Sequence, residues 1–402
     1  MTLALWGKIH SRAKGIMPSW PNGPQREEWT MRLESETPTQ AIRRELRELG
    51  TAFRGRHEWV EKNQDAIGLL IFLASIAGSV LTGLAYAKGI VPAWVCVPAV
   101  AFFLSLLHEL EHDLIHNLYF ANNKVIFNGM MAGVWLMRPS SINPWLRRKM
   151  HLHHHKVSGT ESDIEERAIT NGEPWDLRRF VMTGDGILSV LLRPRQMAST
   201  SRAFVLAQRL PTSQQRRRLA LQNVLAYFPL GIVHYALLHA FLIVTLASAI
   251  AKASGNALVL SPAMAALMTN LHVVAVAFLL PNALRTFCLH FVSSNVHYYG
   301  DVERGNIVQQ TQVWTAWWMM PFQAFCFNFG GTHAIHHFVV NDPFYVRQAI
   351  AKGAHDVLRR HGVRFNDFGT FARGNRWSLV SRPIADEPSS EPSGKDAIAL
   401  AA

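Results

Sequence analysis

Four long apolar stretches constrain this chain more than any other feature of its sequence. They cover approximately residues 66–86, 91–107, 223–251 and 257–280. A helix needs roughly 20 consecutive apolar residues to cross the hydrocarbon core of a bilayer, and each stretch approaches or exceeds that length. Short loops at residues 87–90 and 252–256 join the stretches in pairs. The sequence therefore predicts an all-α integral membrane protein whose four transmembrane helices form two hairpins.

Basic residues flank the stretches on the side away from these two loops. They are Arg43, Arg44 and Arg47, then Arg147, Arg148 and Lys149, then Arg216, Arg217 and Arg218. Because Lys and Arg concentrate in cytoplasmic loops, this pattern predicts that both termini and the long middle segment are cytoplasmic. The net charge of +12 then reflects membrane topology. We expect no nucleic-acid partner, since no recognisable binding fold surrounds the basic residues.

Composition divides the chain into four parts. Residues 1–63 are polar and charged, with no visible signal peptide, and predict a cytoplasmic N-terminal segment, so that the first apolar stretch would serve as the insertion signal. Residues 64–343 would form the membrane domain. Residues 344–380 contain the spacing of an amphipathic helix and predict a cytoplasmic cap. Residues 381–402 are rich in Ser, Pro, Glu, Asp and Ala and predict a disordered tail.

Twelve of the 19 histidines lie in four clusters that border the apolar stretches. The first cluster places His108, His112 and His116 four residues apart, nearly on one face of a helix. Two clusters share the spacing His-x-x-His-His: His151, His154 and His155, and His333, His336 and His337. His297 follows the fourth stretch. Neutral imidazole is the commonest protein metal ligand, so these spacings predict that several metal ions bind on the cytoplasmic side of the spans.

The bland alternative is that these histidines are ordinary buried polar residues. We apply it to His234, His239 and His272, which lie within the spans, and we leave it open for His153 and His290. It fails for the clusters together, because polar side chains within a membrane protein are costly and need partners. The three cysteines, Cys96, Cys288 and Cys326, occur singly without CxxC spacing. We expect them to be buried thiols without a metal or disulfide role.

The order His-x-x-x-His, His-x-x-His-His, lone His and His-x-x-His-His, interleaved with two helical hairpins, resembles the integral-membrane fatty acid desaturase and hydroxylase superfamily. The resemblance covers roughly residues 66–343 and implies a non-haem di-iron site at the cytoplasmic ends of four helices, with a narrow tunnel for an acyl chain. The first box fits either His108 with His112 or His112 with His116. The metal ligands that the resemblance implies are His108, His112, His116, His151, His154, His155, His297, His333, His336 and His337.

Some residues depart from the pattern or divide between its branches. Ser293 stands where the family often has Asn, four residues before the lone His297. The His108-Glu-Leu-x-His112 form and the sequence at residues 296–300 look like the alkane hydroxylase branch, whereas both His-x-x-His-His boxes look like desaturases. The branch therefore stays open.

The chemistry that the resemblance implies needs a redox metal. Two iron ions can activate O2 to oxidise an unactivated C–H bond, which amino-acid side chains alone do not do. Imidazole also suits zinc, but a catalytic zinc site uses about three protein ligands, far fewer than this chain offers. Acidic residues beside the boxes are natural partners for the outward ring nitrogens. They are Glu109, Glu111, Asp113, Asp163, Glu165 and Glu166.

Electrons must come from another protein. The sequence contains no four-cysteine iron–sulfur motif, Rossmann glycine pattern or appended cytochrome domain, so a separate ferredoxin, rubredoxin or cytochrome and its reductase are implied. Basic residues such as Arg147, Arg148, Lys149 and Arg347 would dock an acidic carrier, unless they reflect topology alone.

Two functional classes follow. The first is an O2-dependent oxidoreductase acting on a fatty acid or acyl lipid, with desaturation ranked before hydroxylation and oxidative decarboxylation to a terminal alkene. The second is a metal transporter or sensor that uses the same histidines. It predicts ionisable residues lining a path through the spans, where only His234, His239 and His272 lie at depth.

Overall fold

The computed structural model describes residues 36–256 and 260–379, and within these ranges the chain is helical without a β-strand. Two isolated bridges, His297 with Thr311 and Val313 with Phe365, are the only β-type pairings in the described ranges. The predicted tail at residues 381–402 and the first part of the N-terminal segment lie outside the described residues.

The helices follow one another along the chain with short connections. They are α1 (Pro38–Arg56), α2 (Glu58–Lys62), α3 (Gln64–Ala87), α4 (Ala93–Ile115), α5 (Lys124–Met137), α6 (Pro144–Val157), α7 (Ile164–Ala168), α8 (Leu177–Gly184), α9 (Gly186–Leu191), α10 (Pro194–Ala207), α11 (Ser213–Val224), α12 (Leu230–Ala253), α13 (Pro262–Val274), α14 (Leu280–Val296), α15 (Ile307–Gln310), α16 (Met320–Ala324), α17 (Phe329–Phe338) and α18 (Phe344–Arg360). A π-helical turn, Ala275–Leu279, joins α13 to α14, and two 3-10 turns cover Trp317–Met319 and Phe368–Phe371.

Within the described ranges, four helical segments are long and apolar enough to cross a membrane, which confirms the predicted number. They are α3, α4, α12 and the continuous run Pro262–Val296. Large apolar side chains such as Leu70 and Leu81 on α3 and Ile243 and Leu246 on α12 are exposed. Because exposed apolar side chains are unfavourable in water, these helix faces suit contact with lipid acyl chains.

The bounds of two spans differ from the predicted ones. The third begins at Leu230 instead of residue 223, because a turn that includes Pro229 separates it from α11. The fourth continues to Val296, well past residue 280. Hydropathy falls where Asn282 and Arg285 enter the sequence, but both side chains are buried inside the protein, so the helix continues as a packed element.

Close packing joins the first hairpin to the end that bears the histidines. A Cβ atom on Gly68 of α3 would lie only 2.4 Å from Tyr119 Cδ1, so only glycine admits the ring there. The Tyr119 hydroxyl lies 3.0 Å from Asp113 Oδ2 near the end of α4. The hairpin contact therefore helps to hold the last turn of α4 in place.

Helices α1 and α18 pack against each other and against α17. Ile42 and Leu46 of α1 share one apolar cluster with Ile350, Ala354 and Leu358 of α18. The same cluster includes Ile335 and Phe338 of α17. An amphipathic helix is thus present in the segment where its spacing predicted one, and it covers the helix that carries the last histidine box. We refer to α1 and α18 together as the cap.

The three cysteines are buried, and each has a free thiol. This confirms the prediction that they form no disulfide. Cys96 packs among the apolar residues between the first hairpin and the π-helical turn, and Cys326 belongs to the cluster beside α17. None of the three belongs to either group of possible metal ligands among the described residues.

Candidate metal centre

The C-terminal end of α4 carries the first histidines, and its residues from Leu107 to Ile115 are all buried. Leu104, Leu107 and Leu114 are fully buried in the hairpin core. His108 and His112 are also buried, at 2% and 1% exposure. The helix ends at Ile115, and His116 is its C-terminal cap residue.

Helix α6 begins where the sequence supplies strong starting signals. The Asn143 side chain accepts hydrogen bonds from the backbone N–H groups of Trp145 and Leu146, and Pro144 occupies the first turn. Leu146 and Met150 are buried on one side of the helix. This anchoring leaves the second histidine box on the face that meets α4 and α17.

The first group of histidines consists of His112, His116, His151 and His336. Each contributes one ring nitrogen, and these nitrogens all lie within 4.8 Å of one another. His116 Nε2 lies 3.0 Å from His151 Nε2 and 3.1 Å from His336 Nε2. Three separate helices and one helix cap thus converge on a space of the size that a metal ion occupies.

The second group consists of His154, His297, His333 and His337, again with ligand nitrogens within 4.8 Å of one another. His333 Nε2 lies 3.0 Å from His297 Nε2 and 3.1 Å from His337 Nε2. His154 Nε2 lies 3.3 Å from His337 Nε2. The lone histidine of the sequence therefore joins the two His-x-x-His-His boxes.

Two of the ten predicted ligands fall outside these groups. His155 lies beside them, since its Nε2 is 3.0 Å from both His151 Nε2 and His336 Nε2. His108 lies apart, with Nδ1 3.2 Å from Arg138 Nη2 and no hydrogen-bond partner for Nε2 among the described residues. The pair that the structure brings together from the first cluster is therefore His112 with His116.

The donor set fits a bound cation. A neutral imidazole carries one proton, so several Nε2 atoms that converge at 3.0–3.3 Å cannot all be satisfied by donating to one another. Both ring nitrogens of His112 are buried without a hydrogen-bond partner in the described ranges. A metal ion among the rings would satisfy these lone pairs, because buried polar atoms are costly without a partner.

Three carboxylates lie beside the outward nitrogens of the rings. Asp163 Oδ2 lies 2.8 Å from His154 Nδ1, and Glu165 Oε2 lies 2.8 Å from His151 Nδ1. Glu166 Oε1 lies 3.0 Å from His297 Nδ1, but the hydrogen bond of this nitrogen is to the Ser293 carbonyl oxygen, also at 3.0 Å. A carboxylate that accepts the Nδ1 proton fixes the tautomer in which Nε2 offers its lone pair to a metal. These three of the six acidic residues have the contacts that the sequence suggested.

A left-handed turn brings these carboxylates to the site. Gly159 has φ of +81°, and a Cβ atom there would lie 2.8 Å from the Tyr298 carbonyl oxygen. The Gly159 carbonyl accepts a hydrogen bond from the Gly300 N–H at 2.9 Å. Because only glycine tolerates both the angle and the close approach, this turn seats Asp163 beside the segment that follows His297.

The other three acidic residues act through arginines. Glu111 pairs with Arg138 and with Arg147, the latter at 2.7 Å. Arg347 lies 3.3 Å from a Glu109 oxygen and 3.2 Å from an Asp113 oxygen. The same guanidinium places Nη1 2.7 Å from His336 Nδ1. A buried network thus links α4, α17 and the cap.

The docking role considered for Arg347 is wrong, because this side chain is 1% exposed. Arg147 is also largely buried in its pair with Glu111. Sequence reasoning overlooked a signal here. Arg347 continues the apolar stripe of Ile350, Ala354 and Val357 at spacings of three and four, which placed its side chain on the buried face of α18.

Burial and neighbouring charges decide the protonation of the rings. Burial lowers the pKa of His116 to about 4 and lowers the pKa of His336 well below its usual value, so both are neutral as metal binding requires. Burial also acts to lower the pKa of His154, but the nearby carboxylates of Asp163, Glu166 and Glu165 together outweigh it and raise this pKa to about 10. Metal binding at His154 would therefore displace a proton.

A cavity of about 100 Å³ lies next to both groups. Rings from each group form part of its wall, including His112, His151, His154, His297 and His333. The rest of the wall contains apolar side chains, such as Leu289 and Phe329, and three arginines. The cavity is where a substrate would meet ions held by the histidines.

The sequence model of the fatty acid desaturase family matches residues 88–369. This match covers most of the chain and includes every histidine of the two groups. Neither the curated proteins nor the solved structures contain a match to the chain.

Proposed function

We propose that this chain, which belongs to the fatty acid desaturase family, uses O2 and two non-haem iron ions to oxidise an unactivated C–H bond of a fatty acyl chain. Desaturation is the outcome that we rank first, with hydroxylation and oxidative decarboxylation as alternatives. The observation that carries the proposal is the presence of two groups of four histidines beside one cavity, with every ring buried except that of the half-buried His116.

The size of the donor set favours a pair of redox ions over a single zinc ion. A catalytic zinc site uses about three protein ligands, whereas each group here offers four, and His155 lies against His151 and His336 of the first group. Iron bound at both groups would supply the O2 chemistry that side chains lack. We assign the ligand roles to the eight grouped histidines and His155.

Residues of the chain orient the rings and exclude water. Asp163, Glu165 and the Ser293 carbonyl accept the Nδ1 protons of His154, His151 and His297, which keeps each Nε2 directed at its group. Phe329 stacks on the His333 ring with centroids 4.0 Å apart and also lines the cavity. An apolar wall of this kind keeps bulk water from a reactive site.

We further propose that the histidine groups and both termini lie on the cytoplasmic side, by the positive-inside rule. A soluble ferredoxin, rubredoxin or cytochrome with its reductase would then supply electrons from that side. Lys149 stays exposed next to the second box and is available to an acidic carrier. The boundaries of the N-terminal segment, membrane domain, cap and tail remain those predicted from composition.

The test is lipid profiling of a host that expresses the wild-type chain or the His336→Ala variant. Mass spectrometry of membrane lipids, free fatty acids and headspace volatiles should detect a new double bond, hydroxyl group or shortened alkene with the wild type only. His153→Ala is the matched control, because His153 lies in the second box but outside both groups.

Equal profiles from the wild type and His336→Ala, obtained with iron bound and a ferredoxin system supplied, would contradict the proposal. Metal uptake by vesicles that does not depend on O2 would instead support a transporter.

A further inference from the structure

Arg285 of α14 is a buried cation that forms no ion pair with any residue that the structure describes. Its side chain is 2% exposed and lines the cavity beside the histidine groups. Nη2 donates to Ser140 Oγ at 3.2 Å and to Thr286 Oγ1 at 2.7 Å. Nε and Nη1 have no hydrogen-bond partner among the described residues. Half of this guanidinium therefore remains available to a ligand.

The other two arginines of the cavity differ from Arg285 in this respect. Arg138 and Arg147 both pair with Glu111, and Arg147 also lies 3.5 Å from a Glu165 oxygen. Within residues 36–256 and 260–379, Arg285 forms no ion pair with a carboxylate. A buried charge is costly unless an opposite charge accompanies it. No carboxylate of the described residues therefore balances the charge of Arg285 in the cavity.

We propose that Arg285 binds the carboxylate of a free fatty acid, an inference that rests on the proposed function. The planar guanidinium fork matches the two oxygens of a carboxylate, and such charge-assisted pairs are strong when water is excluded. An ester or thioester carries no charge at this position and leaves Arg285 unpaired.

The position of Arg285 decides which part of the fatty acid meets the metal centre. His112, His151 and His297 line the same cavity as the guanidinium. At about 10–15 Å³ for each water-sized group, a cavity of about 100 Å³ holds roughly seven to ten non-hydrogen atoms, too few for a whole long-chain fatty acid. The carboxyl group and the first carbons of the chain are therefore the atoms held beside the histidines.

Apolar residues provide the surface for those carbons. Leu289 of α14 and Phe329 of α17 lie in the cavity wall, together with Ile142 and Met150. An anionic head at Arg285 and an apolar wall beyond it match an amphipathic acid better than a neutral lipid. The arrangement predicts oxidation close to the carboxyl end of the substrate.

The experiment compares ligands that differ only at the head. Purified wild-type protein in detergent, with its metal retained, is titrated with dodecanoate, methyl dodecanoate and dodecyl phosphate by calorimetry. We expect dodecanoate to bind about 10- to 100-fold more tightly than the methyl ester. Arg285→Gln should abolish this preference, and Arg285→Lys should retain part of it. Arg217→Gln, which changes an exposed arginine on α11, should leave it intact.

If Arg285→Gln fails to fold, the comparison of ligands with the wild-type protein can still overturn the inference. Equal affinity for dodecanoate and its methyl ester, or tighter binding of dodecyl phosphate, would overturn the inference. Such a result leaves the proposed oxidation standing, since lipid profiling tests it separately. Conversely, binding of dodecanoate that depends on Arg285, with no oxidised product from the complete system, would refute the proposed function and support Arg285 as a carboxylate site.

Discussion

The two histidine groups have similar geometry but different charged surroundings. In the second group, Asp163 is hydrogen bonded to His154 and Glu166 lies 3.0 Å from His297 Nδ1, so two buried carboxylates are close to its rings. In the first group, Glu165 holds His151 while Arg347 contacts His336. A carboxylate partner makes an imidazole a stronger metal ligand, whereas a guanidinium adds positive charge that repels a metal cation. The comparison indicates that the second group binds its ion more tightly and that the first releases it more readily.

The largest expected effect is the loss of the reaction when either group loses a ring. His336→Ala and His297→Ala should each reduce product formation to background, because the proposed chemistry needs both ions. Elemental analysis should find about one iron lost per chain in each variant. A variant that keeps full activity would show that its group has no role in the reaction.

Removing Arg347, which contacts His336 of the first group, should destabilise the protein. Arg347→Gln leaves Glu109 and Asp113 buried without their cation. We expect a loss of about 3–5 kcal/mol in the free energy of unfolding, measured by denaturant titration in detergent. Arg359→Gln on the same helix breaks an exposed pair with Asp356 and should cost about 1 kcal/mol or less. Equal effects of the two substitutions would contradict the buried network.

Substituting one carboxylate at a time should weaken metal binding at one histidine group and leave the other unchanged. Asp163→Asn should weaken metal binding at the second group, and Glu165→Gln at the first, each by about 10- to 100-fold. Competition with a chelator of known affinity measures both losses. Glu161→Gln is the matched control, since Glu161 is exposed on the same loop. If Asp163→Asn and Glu165→Gln weakened the same ion, the division into two groups would be wrong.

The pH dependence of metal binding should differ between the groups. His154, with a pKa near 10, holds a proton that the ion must displace, so affinity at the second group should rise as pH increases below 10. His116, with a pKa near 4, is already neutral, so it adds no such dependence to the first group near pH 7. Co²⁺ titrations at about pH 6.5 and 8.5 would measure this, with roughly tenfold change per pH unit at the second group only. A flat profile at both groups would contradict the contrast.

The smallest expected effect concerns His108, the predicted ligand that lies apart from both groups. His108→Ala should retain both iron ions, because His112 and His116 are the members of the first cluster in the first group. Metal analysis of the purified variant checks this. Loss of one ion would restore the assignment of His108 with His112.

Much of the fold followed from simple patterns. Runs of apolar residues predicted the four spans, and the spacing around Val346 and Ile350 predicted the covering helix α18. The end of the fourth span did not follow, because hydropathy records the polarity of Asn282 and Arg285 but not their burial. The candidate site was predicted in its residue types, since repeated histidine spacings are rare. Its division into two groups was not.

The sequence by itself determined the helical class, the number of apolar spans and the set of histidines, because each depends on residues close together in the chain. Only the tertiary structure decided that His112 joins His116, that Asp163 and Arg347 support different groups, and that Arg285 pairs with no carboxylate of the described part of the chain. These facts depend on which side chains meet across α4, α6, α14, α17 and α18. Contacts of that kind arise from packing between distant segments, which local spacing does not specify.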